Sequence, residues 1–174
     1  MQAPVRGVDV ERVRQRSEVL KFVGVAVGVM LAAELISAVV RATVPPEARY
    51  WILKPVLSVH HQEYLSGLGG LRGLIVVAGI AVAVPAYRFL VGLPELGNVG
   101  STFRVGAALW LGGGAANTAE RFARGSVTDY LAIRLNGGGT VLDTADLAVY
   151  VGLPLVMAAL ATRWKRQKAC AGGG

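Results

Sequence analysis

The sequence predicts an all-α membrane protein with four transmembrane helices and a small extracytoplasmic segment that can contain β structure. Of its 174 residues, 53% are hydrophobic and only 17% are charged, and the apolar residues are concentrated in four runs. Glycine, alanine and valine dominate these runs, and such small residues let helix backbones approach closely in lipid. Four apolar runs with basic termini make a set of buried helices in a soluble protein the less favoured alternative.

Each apolar run approaches the length of about 20 residues that a helix needs to cross the hydrocarbon core of a membrane. The first run, FVGVAVGVMLAAELISAVV, covers residues 22–40 and is interrupted only by Glu34. The second covers residues 73–93, the third residues 99–119 and the fourth residues 144–162. The third and fourth are short unless their polar ends count, so we predict the four spans with approximate boundaries.

Basic residues at the two chain ends predict the orientation. Residues 1–21 form a basic N-terminus and residues 163–174 a basic tail, and both flank apolar runs, where cytoplasmic anchors lie under the positive-inside rule. We therefore expect both termini in the cytoplasm, which four crossings allow, and a membrane domain over residues 22–162. Residues 41–70 and 120–143 would then lie outside.

The first external segment contains signals for a turn and for a membrane interface. Pro45 and Pro46 are expected to end the first helix. Tyr50 and Trp51 are typical of an interfacial anchor. The stretch WILKPVLSV that begins at Trp51 is compatible with short extended structure on the membrane surface.

Composition also bears on cofactors and partners. The formal net charge of +7 is concentrated at the chain ends without interleaved aromatic residues at the first cluster, which disfavours nucleic-acid binding and favours contact with membrane lipid. Cys170 is the single cysteine, and no cysteine and histidine set has zinc-ligand spacing. His60 and His61 are adjacent, which is poor geometry for binding one metal. We expect no metal and no cofactor.

Two acidic residues are predicted at similar depth on the outer side of the membrane. Asp129 lies in the second external segment, and Asp146 lies at the start of the fourth apolar run. Carboxylates at a membrane margin are costly and often functional. Two close carboxylates share one proton and can act as base and acid around a water molecule.

Structural interpretations of these acids remain open from spacing alone. Asp129 is equally compatible with a solvated loop position. Asp146 would stabilise a helix by lying in its first turn, and Asp143 would fit the N-cap of the same helix. The run from Gly112 to Ala116 leaves room for a substrate groove or for plain helix packing.

Two sequence blocks resemble the signature of the lipoprotein signal peptidases, the signal peptidase II family. The blocks are GGGAANTAERFARGSVTDYL and VLDTADLAVYVG. The positions that match the first block are Asn117, Arg121, Gly125, Val127 and Asp129, and those that match the second are Ala145, Asp146 and Gly152. The expected plan of four spans extends this resemblance to most of the chain.

The departures from the family pattern identify a divergent member. Glu120 stands where the family has aspartate, Ala116 replaces a glycine, and Asp143 stands where asparagine is usual. Glu34 is the candidate for the acid of the first-helix motif. The lysine position of that motif holds Ala38, with Arg41 as a possible substitute one turn further on. The family's N-x-G motif has no match in HHQEYLSGLGG.

The resemblance implies an aspartic endopeptidase of the bacterial cytoplasmic membrane, with its site at the extracytoplasmic face. Its substrates would be prolipoproteins whose cysteine carries a diacylglyceryl group, and the cut would fall before that cysteine. Asp129 and Asp146 would be catalytic, and Asn117 and Arg121 would fix the substrate or the catalytic loop. Asp143, Gly125 and Glu34 would be supporting residues.

The alternative function is that of a non-catalytic small membrane protein. A transporter, a scaffold or an inactive relative of the peptidases could also place acids near the outer edge of the membrane. In that case the acids would serve ion passage or subunit pairing.

Overall fold

The computed structural model of the protein describes residues 6–46, 48–65, 100–135 and 138–171. In chain order the elements are α1 (Arg6–Thr43), β1 (Arg49–Leu53), β2 (Leu57–Leu65), α2 (Ser101–Arg124), β3 (Ser126–Leu135), β4 (Gly138–Leu142) and α3 (Thr144–Ala171). The described chain is therefore mostly helical with a small antiparallel sheet. The second predicted span, residues 73–93, lies outside the described residues.

The helices extend beyond the apolar runs that predict them. Helix α1 begins at Arg6 rather than at residue 22, and α3 continues to Ala171 rather than ending at residue 162. The added turns are rich in Arg, Glu, Lys, Gln and Ala, which favour helix without being apolar. Hydropathy therefore predicts the apolar stretch of each helix and underestimates the length of the helix.

Two described helices contain stretches long and apolar enough to cross a membrane. These stretches are Arg16–Thr43, with a mean hydropathy of 2.3, and Thr144–Lys165, with a mean hydropathy of 1.7. Both expose large apolar side chains, such as Leu35 on α1 and Met157 on α3. In water such faces would be costly, whereas lipid accepts them. Length, apolar content and exposed apolar side chains are therefore all compatible with spans in these two helices.

Glycine lets helix α2 contact both of its neighbours backbone to backbone. A Cβ atom added at Gly152 would lie 2.5 Å from the carbonyl oxygen of Gly106, and one added at Gly112 would lie 2.5 Å from the carbonyl oxygen of Ala26. Gly113 lies equally close to Ala145 at the start of α3. The sequence left two interpretations of the run from Gly112 to Ala116, a substrate groove and plain helix packing. Helix packing applies to Gly112 and Gly113. At Gly114, by contrast, no atom of the described residues lies within 4 Å of an added Cβ.

The sheet has the strand order β1-β2-β3-β4, and every neighbouring pair is antiparallel. It contacts the end of α1 through a buried cluster of Val40, Val44 and Tyr130. The expected extended structure after Trp51 is present as β1 and β2. The segment 120–143 contains two strands and the last turn of α2, which we did not predict. The run SVTDYLAIRL is rich in the β-branched and aromatic residues that favour strands.

Replacing Gly152 with alanine is expected to separate α2 from α3. The new methyl group would meet the backbone of Gly106 and Trp110, neither of which can rotate away. Such overpacking costs about 1–3 kcal/mol of unfolding free energy, measurable as a lower melting temperature in detergent. Gly114→Ala is the matched control, because among residues 6–46, 48–65, 100–135 and 138–171 nothing lies within 4 Å of its added Cβ. Equal melting temperatures for the two variants would contradict this packing.

Candidate functional site

A left-handed turn joins α2 to β3 and directs the strand back along the helix end. Gly125 has φ 79° and ψ 2°, and its N–H donates to the carbonyl oxygen of Arg121 at 2.9 Å. Glycine adopts this backbone conformation without a Cβ penalty, so it is the favoured residue at such a helix C-terminus. Gly125 therefore supports the site through its backbone. The turn that it forms sets the direction in which β3 leaves α2, and Asp129 follows on β3 four residues later.

Asp143 caps helix α3, as the sequence predicts. Its side-chain Oδ1 accepts a hydrogen bond from the backbone N–H of Asp146 at 2.6 Å, and its carbonyl oxygen accepts one from Leu147 at 3.2 Å. A second tie joins the helix start to β3, where the hydroxyl of Tyr130 accepts the N–H of Thr144 at 3.0 Å. Strand β3 and the first turn of α3 are therefore held against each other.

These two connections bring three carboxyl groups together. One oxygen from each of Asp129, Asp143 and Asp146 lies within 4.8 Å of the other two. Asp143 is buried, while Asp129 and Asp146 are partly accessible. The two acids selected from the sequence are thus neighbours in space. The sequence predicts Asp143 as a helix cap and as a third carboxylate near this pair, and the structure places it in both roles.

Asn117 connects helix α2 to this cluster. Its Nδ2 donates a hydrogen bond to Oδ1 of Asp146 at 2.7 Å, and the residue is only 7% exposed. A buried amide that donates to a carboxylate fixes the direction of that carboxylate. Arg121, one turn further along α2, lies near enough for its charge to act on Asp129. Both residues selected from the first sequence block therefore border the acids.

Burial and mutual repulsion favour the protonated forms of two of these acids. Desolvation raises the pKa of Asp129 to about 7, with further increases from the charges of Asp146 and Asp143 and an opposing effect of Arg121. Desolvation likewise raises the pKa of Asp143 to about 6, opposed by the backbone N–H that it caps. The cluster therefore retains a proton close to neutral pH instead of carrying three full negative charges.

A buried ion pair next to the cluster was not predicted as part of the site. Arg41 on α1 pairs with Glu120 on α2, and its Nη1 also donates to Oγ1 of Thr128 at 2.9 Å. The Thr128 hydroxyl in turn donates to Glu120 Oε1 at 2.7 Å. The sequence signals available for this ion pair were two departures from the family pattern, namely Glu120 and the arginine one turn after Ala38.

Glu34 occupies a different place from the acid pair. It lies on α1, where the charges of Glu120, Arg41 and Arg124 act on it. Among the described residues, the group of carboxylates close enough to share an ion does not include it. The structure therefore places Glu34 beside the Arg41 and Glu120 pair.

The three clustered carboxylates could offer oxygen ligands to a hard cation. Mg²⁺ and Ca²⁺ take at least six oxygen ligands, of which proteins often leave several to water or substrate. The donor set is compatible with a cation but does not require one. The same oxygens can instead hold a water molecule between two acids.

Fold and site together define a membrane-associated enzyme of mixed helix and sheet with an acid cluster where they meet. A protein-family model described as "Signal peptidase (SPase) II" matches residues 25–162, and the chain belongs to this family. The predicted resemblance is confirmed. The protein is accordingly a membrane peptidase of lipoprotein signal peptides, and its family implies prolipoprotein substrates.

Two solved structures share the fold, both described as bacterial membrane enzymes determined by the in meso method. The structure at 2.3 Å resolution has a TM-score of 0.71 and 17% sequence identity, covering 82% of this chain and 88% of that one. The structure at 1.9 Å resolution has a TM-score of 0.69 and 17% identity, covering 80% and 92%. A search of curated proteins finds no match.

The raised pKa values predict how stability changes with pH. Folding raises the pKa of Asp143 from 3.8 to about 6, so the folded state binds more protons than the unfolded state between these values. The stabilisation is full below the lower value and is lost as pH rises through the higher one. Asp143→Asn should therefore flatten the fall in melting temperature between about pH 4 and pH 7.

Asparagine caps a helix as well as aspartate does, so this variant removes the charge and keeps the cap. Asp143→Ala serves as the contrast, because it also loses the cap and should be less stable at every pH by about 0.5–2 kcal/mol. Parallel melting profiles for the wild type and Asp143→Asn would contradict the predicted titration.

Proposed function

We propose that the protein is an aspartic endopeptidase in which Asp129 and Asp146 activate a water molecule. The observation that carries the proposal is the approach of their carboxyl oxygens to within 4.8 Å. A water molecule hydrogen-bonds to oxygens about 2.7–2.8 Å away, so one water can bridge two acids at such a separation. No cofactor is needed for this chemistry.

Proton transfer follows from the environment of each acid. Asp129, whose pKa is raised to about 7, carries the shared proton for part of the time at neutral pH. Asp146 is oriented by Asn117 and accepts a proton from the water, whose oxygen attacks the scissile carbonyl carbon. Asp129 then gives its proton to the leaving amine as the peptide bond breaks, and Asp146 keeps the proton taken from the water, so the pair again holds one proton. The pair titrates as a unit.

The location of the acids fits a substrate that is partly lipid and partly peptide. Asp146 lies in the first turn of α3, where the apolar stretch Thr144–Lys165 begins, and Asp129 lies on the adjoining sheet. We propose that the substrate is a prolipoprotein with a diacylglyceryl cysteine and that the bond cut lies just before this cysteine. Asn117 and Arg121 would hold the substrate or the catalytic loop.

Four spans with both termini in the cytoplasm would place this site on the outer face of the bacterial membrane. Support comes from the basic ends of the chain and from the sheet, which contacts the end of α1 and adjoins the start of α3. The ends of α1 and α3 that border the sheet are thus on one side. The span over residues 73–93 completes an even number of crossings in the proposal.

Replacing either acid with its amide is expected to abolish cleavage of a lipidated prolipoprotein. Asp129→Asn and Asp146→Asn keep the side-chain shape and remove proton transfer, so kcat should fall by at least about 10³-fold. Cleavage would be followed with purified full-length protein in lipid nanodiscs. Near-normal cleavage by either variant would contradict the proposed catalytic pair and favour a non-aspartic mechanism.

Glu18→Gln is the matched control, because it removes a carboxylate that pairs with Lys21 and Arg104 away from the acid cluster. This variant should cleave at the wild-type rate.

A chelator tests whether the acid cluster binds a catalytic cation, since a mechanism with two acids and one water is insensitive to a chelator. Strong inhibition by the chelator, reversed by a divalent cation, would favour a metal mechanism.

Cysteine labelling in cells tests the proposed orientation. In a Cys170→Ser background, Thr140→Cys places a thiol on the exposed strand β4. A reagent that does not cross the membrane should label this variant from outside. The wild-type chain, with its thiol at Cys170, should be labelled only after the membrane is opened. Labelling of both in intact cells would contradict a crossing of the membrane between residues 140 and 170.

A further inference from the structure

We propose that the buried network of Arg41, Glu120 and Thr128 positions Asp129 and, through the charge of Glu120, shifts the pH range in which the acid pair works. This inference rests on the proposed catalytic role of Asp129 and Asp146. The three network residues would be positioning residues, because none of them belongs to the acid cluster itself.

The geometry joins three separate elements at one buried point. Arg41 lies in the last turn of α1, Glu120 lies in the last turns of α2, and Thr128 lies on β3. Arg41 pairs with Glu120 and donates to Thr128 at 2.9 Å, while Thr128 donates to Glu120 at 2.7 Å. Glu120 is 3% exposed and Thr128 is 1% exposed. A charged network so deeply buried is costly to break, because each partner would be left without compensation.

The network constrains the residue that follows it in the chain. Thr128 immediately precedes Asp129 on β3, and successive side chains of a strand leave its backbone in alternating directions. Fixing the hydroxyl of Thr128 against Glu120 therefore fixes the rotation of the strand, and with it the direction of the Asp129 carboxyl. Tyr130, the next residue, is tied to Thr144 at the start of α3. Asp129 is thus held between two anchored neighbours.

Charge gives the network its second effect. The charged groups that act on Asp129 come from the α3 start, as Asp143 and Asp146, and from the end of α2, as Arg121 and Glu120. Desolvation is the main cause of the raised pKa of Asp129; the charges of Asp146, Asp143 and, to a smaller extent, Glu120 add to the rise, while Arg121 opposes it.

The remaining neighbours complete this environment. On β2 the residue paired with Asp129 is Gln62, which is uncharged. On α1, Arg41 and Glu34 face Glu120. The opposite charges of Glu120 and Arg41 are therefore part of the electrostatic environment of the acid pair.

This arrangement also accounts for two departures from the family pattern together. Glutamate at position 120 is one methylene longer than the usual aspartate, and the lysine position of the first-helix motif holds Ala38. Arg41, nearly one turn beyond Ala38, reaches Glu120 and closes an ion pair. The two departures meet in one contact, so they compensate for each other.

The test compares Glu120→Gln with Glu120→Asp in the full-length protein in nanodiscs, with kcat/KM measured against pH on a lipidated prolipoprotein peptide. Glu120→Gln removes a negative charge and leaves the Arg41 charge unbalanced, and both changes lower the pKa of Asp129. The whole profile should move to lower pH by roughly half a unit or more. Glu120→Asp keeps the charge, so its profile should stay in place even if its maximum falls.

A second pair of variants tests positioning without changing charge. Thr128→Val has nearly the shape of threonine but cannot hydrogen-bond to Glu120 or Arg41, whereas Thr128→Ser keeps the hydroxyl. The valine variant should lose about tenfold in kcat with KM within about twofold, since misplacement of a reacting group acts on the chemical step. The serine variant should recover most of that loss.

The outcomes separate this inference from the proposed function. If Asp129→Asn is inactive but the Glu120→Gln profile coincides with that of the wild type, the inference is overturned and the acid pair stands. If Asp129→Asn remains active, the proposed function fails first. If Glu120→Gln does not accumulate as folded protein, the Thr128 pair decides, and equal kcat for its valine and serine variants would overturn the positioning role.

Discussion

Repulsion between carboxylates is the constraint on which the site depends. Asp129, Asp143 and Asp146 approach within 4.8 Å of one another, and separate charges at that distance would drive the elements apart. The structure opposes this with a left-handed turn at Gly125, a cap at Asp143 and a hydrogen bond from Asn117. Each of these is local and directional, so the acids are held by the geometry of helix ends and not by bulk packing.

The helices supply the stiffness that such an arrangement needs. Helix α2 lies against α1 at Gly112 and against α3 at Gly106 and Gly113, with so little space that no side chain intervenes. The same helix ends in the turn that starts β3 and carries Asn117 and Arg121. Positions in the acid cluster are therefore fixed with respect to two helices that contain membrane-length apolar stretches.

Much of the site was predictable because its residues are close in sequence to helix ends. The N-cap role of Asp143 follows from DTAD, since capping involves residues only three apart. The approach of Asp129 to Asp146 required in addition the resemblance to a family, because spacing alone left a solvated loop acid as an option. The resemblance also predicted that Asn117 and Arg121 belong to the same site as these two acids.

The rest depended on long-range contacts that a sequence does not reveal. Arg41 and Glu120 are 79 positions apart, and the two departures from the family pattern mark each residue separately without indicating that they meet. Strands β3 and β4 were missed because an external segment between two apolar runs was treated as a loop, although SVTDYLAIRL has strand-forming composition. The extent of α1 was underestimated because hydropathy does not register its polar turns.

The contact between Gly106 and Gly152 has a consequence for how a prolipoprotein could reach the acids. At that level the backbones of α2 and α3 are closer than one methyl group allows, so the seam between them is sealed against acyl chains and extended peptides. Gly113 makes a similar contact with Ala145 nearer the acids, so separating α2 from α3 would require both backbone contacts to break.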